Sequence, residues 1–124
     1  MLKVPPGEHH GRLQAFKAEF FKALAHPLRI RILELLVVRE HSVLEIQHAL
    51  GAEQSSVSQQ LAVLRNQGIV SAQKEGLSVR YAVRDPLIGA LLDVARRIFD
   101  NRLGISRGLL RELRRERPSN RPSR

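Results

Sequence analysis

The fold is decided by residues 42–83, which read SVLEIQHALGAEQSSVSQQLAVLRNQGIVSAQKEGLSVRYAV. Ser42-Val-Leu-Glu45 has the spacing of a capping box, which predicts that a short helix begins there. Gly51 is placed to end that helix in a left-handed conformation. After a turn of a few residues, one of the serines at 55–56 is expected to cap a second helix, which Gly68 closes. The first part of this stretch therefore predicts two short helices joined by a tight turn.

The second part has the alternation of a β-hairpin. Residues 69–74 and 78–83 alternate in polarity around Glu75-Gly76-Leu77, a turn sequence with glycine at its centre. Two capped helices followed by a hairpin are typical of a helix-turn-helix with a wing. We therefore predict a mainly α-helical, winged helix-turn-helix fold with a two-stranded β wing.

Helices are also predicted on both sides of this unit. The first starts at Gly11, and the second starts at His26-Pro27, where proline is compatible with the first helical turn. Asp85-Pro86 is a cap followed by proline and begins a long fifth helix. The residues of the second to fourth helices that are expected to face inward are Leu28, Ile32, Leu35, Leu36, Val43, Ile46, Leu50, Val57, Leu61 and Leu64.

The first helix is unusually rich in aromatic residues. It carries three of the four phenylalanines of the chain, at positions 16, 20 and 21. That is more apolar area than one short helix of a small isolated domain usually needs. A partner helix across a dimer interface explains it, and ordinary core packing is the alternative.

Composition and periodicity divide the chain into four segments. Residues 1–10 contain Pro5-Pro6-Gly7 and are expected to form a flexible arm. Residues 11–103 hold the winged helix-turn-helix and dimerisation domain. Residues 104–113 are expected to extend the fifth helix or to form a separate short helix, because two glycines weaken the pattern. Residues 114–124 are mostly Arg, Pro, Ser and Asn, which predicts a basic, disordered tail.

Charge points to the class of partner. The chain has 124 residues and a net charge of +9, which suggests a polyanion such as nucleic acid, although excess charge can also serve solubility alone. Most of that charge lies in residues 96–124, where ten arginines face three acidic side chains. The basic character is therefore a property of the C-terminal segment.

Composition also excludes several classes of function. The chain contains no cysteine, which excludes disulfides, thiolate metal sites and cysteine nucleophiles. It contains no apolar run long enough to span a bilayer and no signal-peptide stretch, so we expect a cytoplasmic protein without a membrane partner. No phosphate-binding glycine loop, paired-carboxylate pocket or nucleophile with a base is present, and we predict that the protein is not an enzyme.

The second helix of the helix-turn-helix has side chains suited to DNA. Serine lets a backbone approach closely, and glutamine can bond bidentately to adenine. The amides at the start of that helix favour a phosphate. In the hairpin, Lys74 and Arg80 are suited to phosphate or minor-groove contact. Serine and glutamine also cover ordinary solvated helices, but their combination with a capped turn and a wing favours DNA binding.

Three segments of the chain resemble the ArsR/SmtB family of prokaryotic winged-helix repressors. They are residues 21–33 (FKALAHPLRIRIL), residues 55–65 (SSVSQQLAVLR), and Gly68-Ile-Val with the Glu75-Gly76 turn. The resemblance covers roughly residues 13–100 and is specific because the segments occur in order at fitting spacing. It implies a homodimer, built from the first and last helices, that binds an imperfect palindrome in promoter DNA.

The resemblance also assigns residues. The recognition helix corresponds to residues 54–67. At the tip of the wing, many relatives carry an arginine where this chain has Leu77, so a deep minor-groove contact there is not expected. The candidate DNA-binding residues are Gln54, Ser55, Ser56, Ser58, Gln59, Arg65, Lys74, Ser78 and Arg80. The candidate dimer-interface residues are Phe16, Phe20, Leu91, Leu92, Ala95, Ile98 and Phe99.

The metal sites of the family are not matched. Ser42 and Leu44 stand where thiolate-based members carry cysteines. Asp93 is followed at the matching offset by Ala95, where other members carry histidine, and no histidine occurs after His48. The sequence therefore resembles a subgroup without the cysteine metal site, and we predict no metal ligands and no cofactor.

Two alternatives to a repressor of unknown effector stay open. His9 and His10 are adjacent and could join a metal site if other ligands were preorganised around them, which would make the protein a metal-responsive repressor. The fold could also serve as a protein-interaction module that pairs with another regulator.

Overall fold

The computed structural model describes residues 6–116, and the side chains of residues 11–104 and 108–115. Its elements form two compact units, one ending at Ile88 and one beginning at Gly89. The elements are α1 (Pro6–Leu24), α2 (Pro27–Val38), β1 (His41–Ser42), α3 (Val43–Leu50), α4 (Gln54–Asn66), β2 (Val70–Glu75), β3 (Ser78–Val83) and α5 (Leu87–Glu116). The fold is mainly α-helical with a small antiparallel sheet, as predicted.

Local capping chemistry fixes the start of α2 and both ends of α3. The Nδ1 atom of His26 accepts a hydrogen bond from the Leu28 N–H at 3.2 Å, ahead of the first turn of α2. In the capping box of α3, the Glu45 N–H donates to Ser42 Oγ at 3.2 Å and the Ser42 N–H donates to Glu45 Oε1 at 2.8 Å. Gly51 ends α3 with a φ of 63°, in the left-handed region. These predictions are confirmed.

The cap predicted for α4 is wrong. The helix begins at Gln54 with Glu53 as its N-cap, whose side chain forms no capping hydrogen bond. After the left-handed turn at Gly51 the chain needs only two residues to re-enter helical geometry, and the Val57 N–H already donates to the Glu53 carbonyl at 3.0 Å. The serines at 55–56 therefore lie inside the first turn of α4 and not before it.

The wing is a tight hairpin. β2 and β3 pair from Val70 opposite Val83 to Glu75 opposite Ser78, which leaves a two-residue turn. Gly76 has a φ of 62° and no residue other than glycine has a positive φ within the described chain. A positive φ at the first turn residue alone is the pattern of a type II′ turn, whose twist matches that of the strands.

A third strand extends the sheet beyond the predicted two. β1 pairs with β3, with His41 opposite Tyr81, so the strand order is β1-β3-β2. β1 has two residues, which is too short for a pattern of alternating polarity. It is created by its pairing with β3, and this pairing joins the wing to the start of α3.

The core lies between α2, α3, α4 and the base of the wing. Its fully buried side chains are Ile32, Leu33, Ile46, Val57, Leu61, Leu64 and Val70. The inward-facing pattern is confirmed for α4, where Val57, Leu61 and Leu64 are fully buried. In α3, Ile46 is fully buried, but Val43 and Leu50 are half-buried. In α2 the pattern needs correction. Leu28 and Leu35 are only half-buried, whereas Leu33 is fully buried. α2 contacts α3, α4 and β3. The helix is therefore packed on more than one side, and its buried residues are not confined to a single face.

The two terminal helices are longer than predicted. α1 begins at Pro6, five residues before Gly11, because proline is compatible with a first helical turn. The prediction of a flexible arm is therefore wrong for residues 6–10, and residues 1–5 lie outside the described part of the chain.

α5 is one helix of 30 residues, about 45 Å long. The Asp85 carboxylate accepts a hydrogen bond from the Leu87 N–H at 2.9 Å, which confirms the predicted cap. The helix continues through Gly104 and Gly108, so residues 104–113 extend it and do not form a separate helix. Residues 114–116 are also helical, and the rest of the predicted tail lies outside the described residues.

Candidate nucleic-acid interface

One face of α4 is polar, uncharged and open to solvent. Gln54, Ser55, Ser58 and Gln59 are exposed, whereas the opposite side of the helix supplies three of the buried core residues. This division follows from the 3.6-residue period, which places residues three and four apart on the same side. The four side chains form no hydrogen bonds with protein groups in the part of the chain that the structure describes. They are therefore free to bond to the edges of bases.

Two other candidates on α4 have different settings. Ser56 is half-buried and lies at the flank of the exposed face. Arg65 is exposed in the last turn and is the only charged residue of the helix. The predicted base-reading face is thus almost free of charge, and its contacts with DNA would be made mainly by hydrogen bonds.

The wing presents its candidate residues on two different faces. Lys74 lies opposite Val79 in the hairpin and Gln73 lies opposite Arg80, so Lys74 and Arg80 face opposite sides of the sheet. Lys74 is exposed. Ser78 stands beside the turn, where its Oγ donates to the Glu75 carbonyl at 3.2 Å. Leu77, at the tip, is fully exposed.

Arg80 is held by carboxylates of its own chain. Its Nε lies 3.0 Å from Glu40 Oε1 and 3.8 Å from Glu75 Oε2, and its Nη2 lies 3.2 Å from Glu45 Oε1. Its side chain is only 23% exposed. The resemblance placed Arg80 among the DNA contacts, but its positive charge is already balanced by three glutamates. We define Arg80, Glu40, Glu45 and Glu75 as the wing-base cluster.

The pKa values of this cluster reflect the pairing. Partial desolvation lowers the pKa of Arg80, but the hydrogen bond to Glu40 and the charges of Glu45 and Glu75 outweigh it, and the net shift is upward. The Ser42 N–H that donates to the Glu45 carboxylate, together with the nearby Arg80, lowers the pKa of that carboxyl. Both ions are therefore stabilised in their charged forms, and the cluster ties the wing to the start of α3.

The wing-base cluster could not be predicted from the sequence, for a physical reason. Glu40 and Arg80 are 40 residues apart, and nothing local in either segment indicates that they meet. The strand β1, which brings them together, was also not predicted. The sequence of the hairpin shows alternating polarity, which assigns its residues to two faces. Which of the two faces is directed toward the body of the domain is shown only by the pairing with β1.

α1 exposes the aromatic residues that the sequence singled out. Phe16 is 78% exposed and Phe21 is 56% exposed, whereas Phe20 is half-buried. The rings of Phe20 and Phe21 lie edge to face with centroids 5.5 Å apart. The alternative for these residues was ordinary core packing. Packing within this chain, however, leaves much of their apolar area exposed to solvent.

α5 has one apolar face and one charged face. Leu91, Leu92 and Ala95 are half-buried. Among its described side chains, the exposed apolar residues are Leu87, Val94, Ile98, Phe99, Leu103, Leu109, Leu110 and Leu113. All the members of the predicted dimer interface on α5 therefore keep apolar area in contact with solvent.

The charged face of α5 contains the position that resembles a metal ligand in other family members. Asp93 accepts a hydrogen bond from Arg96 at 2.8 Å and pairs with Arg97 at 2.9 Å. The hydrogen bond from Arg96 and the charge of Arg97 lower the pKa of Asp93. Ala95, two residues on, has no ligating atom. The residues present at this position form an ion-pair network and do not fit a metal.

The rest of the described chain offers no group of metal ligands. Across the part of the chain that the structure describes, no three His, Asp or Glu side chains come together as a metal site. The side chains of His9 and His10 lie outside that part. Among the helices described, none combines the length and apolar character needed to cross a membrane.

A helix-turn-helix with an exposed polar recognition helix and a hairpin wing defines the class of winged-helix, DNA-binding transcriptional regulators. Residues 26–72 match the family described as bacterial regulatory protein, arsR family. The chain is 48% identical over 103 residues to the HTH-type transcriptional regulator Rv0081 of Mycobacterium tuberculosis, across 82% of this chain and 90% of that protein. The chain therefore belongs to the arsR family of bacterial regulatory proteins.

Solved structures support the same assignment. The crystal structure of M. tuberculosis Rv0081 matches with a TM-score of 0.70 at 46% identity, covering 83% of this chain and 98% of that one. The solution structure of the homodimeric winged helix-turn-helix DNA-binding domain of Mb0332 from Mycobacterium bovis matches with a TM-score of 0.72 at 28% identity, covering 83% of this chain and 94% of that one.

A further relative is named for the operon it controls. The probable mercury resistance operon repressor of Streptomyces lividans is 40% identical to this chain over 80 residues, which is 64% of this chain and 63% of that protein.

Proposed function

We propose that the chain is a homodimeric repressor that binds an imperfect palindrome in promoter DNA. The observation that carries the proposal is the exposed face of α4, where Gln54, Ser55, Ser58 and Gln59 stand together without protein partners in the described chain. Amide and hydroxyl groups of this kind can read base edges in the major groove. Bound across a promoter, the dimer would exclude the transcription machinery.

Phosphate contacts would come from a different set of groups. The N-terminus of α4 has no side-chain cap, so its first amides can donate to a phosphate oxygen. Lys74 is exposed on the wing and can reach a second phosphate. These contacts would set the position of the domain on the duplex, while α4 would supply the preference for sequence.

The dimer is supported by the apolar side chains that α1 and α5 leave exposed. Phe16 on α1 and Ile98 and Phe99 on α5 are the most exposed of the predicted interface residues. Large exposed apolar patches on a small protein mark interaction surfaces. The Mb0332 domain is described as homodimeric, and the relative from Streptomyces lividans is named a repressor. A twofold dimer would present two copies of α4 to two half-sites about one helical turn apart.

Selection of bound fragments from genomic DNA tests the proposal. We expect one enriched palindromic site, tighter binding to it than to random duplex, and a steep loss of affinity as salt rises. The Gln59→Ala variant is expected to lose about 1–3 kcal/mol of discrimination at one base pair of each half-site. Gln67→Ala is the matched control, because Gln67 is also exposed but follows the C-terminal end of α4. Equal binding to selected and random duplexes by the wild type would refute the proposal.

A further inference from the structure

One arginine of α2 joins two other helices. The Nε of Arg29 donates to Gln60 Oε1 on α4 at 2.8 Å. The Nη1 of the same guanidinium donates to the Ala23 carbonyl at 3.1 Å and lies 3.4 Å from the Lys22 carbonyl, both at the end of α1. The side chain is half-buried between them. A single planar group therefore contacts the last turn of α1 and the middle of α4.

At α1, the guanidinium completes the end of the helix. The last carbonyls of a helix have no partners within it and carry partial negative charge. The chain turns away from α1 through bonds from Ala25 to the Lys22 carbonyl and from His26 to the Leu24 carbonyl. The carbonyl between them, that of Ala23, takes its hydrogen bond from Arg29.

At α4, the guanidinium holds the flank of the recognition helix. Gln60 is half-buried and directly follows Gln59, which lies on the exposed face. A shift of Gln60 would therefore rotate or translate the residues proposed to read bases. Because the donors of arginine form a rigid fork, both partners are fixed by one orientation of the side chain. Lysine would keep the charge and lose this geometry.

We propose that Arg29 is a positioning residue that couples the end of α1 to the recognition helix. The inference rests on the proposed function, in which α1 contributes to the dimer and α4 reads DNA. Through Arg29, the placement of α1 in the dimer would set the orientation of each α4. Arg29 acts through Gln60 and need not contact a base.

Amide hydrogen exchange on the free, full-length protein tests the coupling. Arg29→Lys is expected to raise exchange about tenfold both in the last turn of α1 and in α4 around Gln60, a change of about 1.4 kcal/mol in opening free energy. Gln60→Ala should also raise exchange in the last turn of α1, although its hydrogen bond goes to Arg29 and not to α1. A merely local role for Gln60 would not produce this effect.

Arg31→Lys is the matched control. Arg31 lies on the same helix, and its Nη2 donates to the Leu50 carbonyl at the end of α3, at 3.1 Å. We expect this variant to leave α1 and the region of Gln60 unchanged. If Arg29→Lys behaves like Arg31→Lys, or if Gln60→Ala alters exchange only in α4, the coupling is refuted.

DNA binding provides the second measurement. On the selected palindrome, Arg29→Lys and Gln60→Ala are each expected to lower affinity about tenfold, and the double variant should lose no more than either single one. Unchanged affinity in Arg29→Lys would overturn its positioning role. Amide hydrogen exchange is measured without DNA, so it tests the coupling between α1 and α4 independently of DNA binding. If the wild type selects no DNA site, the proposed function is refuted, but the exchange data still decide whether the coupling exists.

Discussion

Lys74→Ala is expected to weaken binding to every DNA sequence and to reduce its dependence on salt, whereas Arg80→Ala is expected to leave the salt dependence unchanged. The two side chains stand on the same hairpin but on opposite faces. Lys74 is exposed and forms no ion pair within residues 11–104, while Arg80 is paired with Glu40, Glu45 and Glu75. An arginine whose charge is already balanced by carboxylates adds no net electrostatic attraction for a phosphate.

The magnitude follows from the number of phosphate contacts that are lost, because each contact releases counterions from the DNA. Each phosphate contact contributes about 0.9 to the slope of log affinity against log salt, so a dimer that loses two Lys74 contacts should lose about 1.8. Between about 50 and 200 mM salt, this difference amounts to about twelvefold in affinity. Arg80→Ala should instead lower the melting temperature, because the three carboxylates of the wing-base cluster would lose the cation that they share. Glu45 would keep its longer ion pair with Arg39, at 3.8 Å.

Fluorescence anisotropy on the selected palindrome and on a random duplex, at four or five salt concentrations, measures both slopes. The titrations are run well below the melting temperature of each variant, so that unfolding does not enter. An equal loss of slope in Arg80→Ala would show that Arg80 exchanges its glutamates for phosphate on binding, and the reasoning would be refuted. An unchanged slope in Lys74→Ala would remove this lysine from the phosphate contacts.

Four further predictions concern stability, pH dependence and assembly. Leu33→Ala should lower the free energy of unfolding by about 2–5 kcal/mol and Leu35→Ala by less, as measured by urea denaturation, because only Leu33 is fully buried. Because the pKa of Glu45 in the folded protein lies below the ordinary carboxyl value, its ionised form contributes stability above that value, and this contribution is lost as pH falls from that value through the lowered pKa. Urea unfolding at pH 7 and at pH 3.5 should therefore show a smaller loss for Glu45→Gln than for the wild type. Phe16→Asp should shift a dimer toward monomer in sedimentation equilibrium at micromolar concentration, with its helical circular dichroism retained. Removal of residues 117–124, which hold three arginines and no acidic residue, should reduce the salt slope without changing the preferred site.

The features that were predicted correctly depend on local chemistry. The capping box of Ser42 and Glu45, the left-handed Gly51 and the turn at Gly76 each involve residues within three positions of one another, so a single sequence displays the whole interaction. The alternation of the hairpin and the period of α4 are local in the same sense. Most of the core followed from them, because a helix with one apolar face has one way to bury it.

The features that were missed depend on tertiary contacts. β1 is a strand only because β3 lies beside it, and Leu33 is buried because α2 is covered on more than one side. The role of Arg80 depends on Glu40 and on the register of the sheet. The residues that form the candidate DNA-binding surface could therefore be predicted from the sequence. Which of its cations are paired with carboxylates and which are not could be learned only from the folded structure.

The difference between paired and unpaired cations changes how the net charge of +9 relates to function. α4 carries one cation, Arg65, in its last turn. The wing contributes Lys74, while the charge of Arg80 is balanced. Arginines on the described part of α5, such as Arg111 and Arg114, are exposed, but they belong to a separate unit of the chain. Hydrogen bonds from uncharged side chains are insensitive to counterion release, so a change at Gln59 should alter base preference and leave the salt slope intact. We therefore expect the excess of arginine to add affinity for any duplex. In the proposed function, the choice among duplexes rests on a nearly neutral helix, whose orientation we propose that Arg29 helps to set.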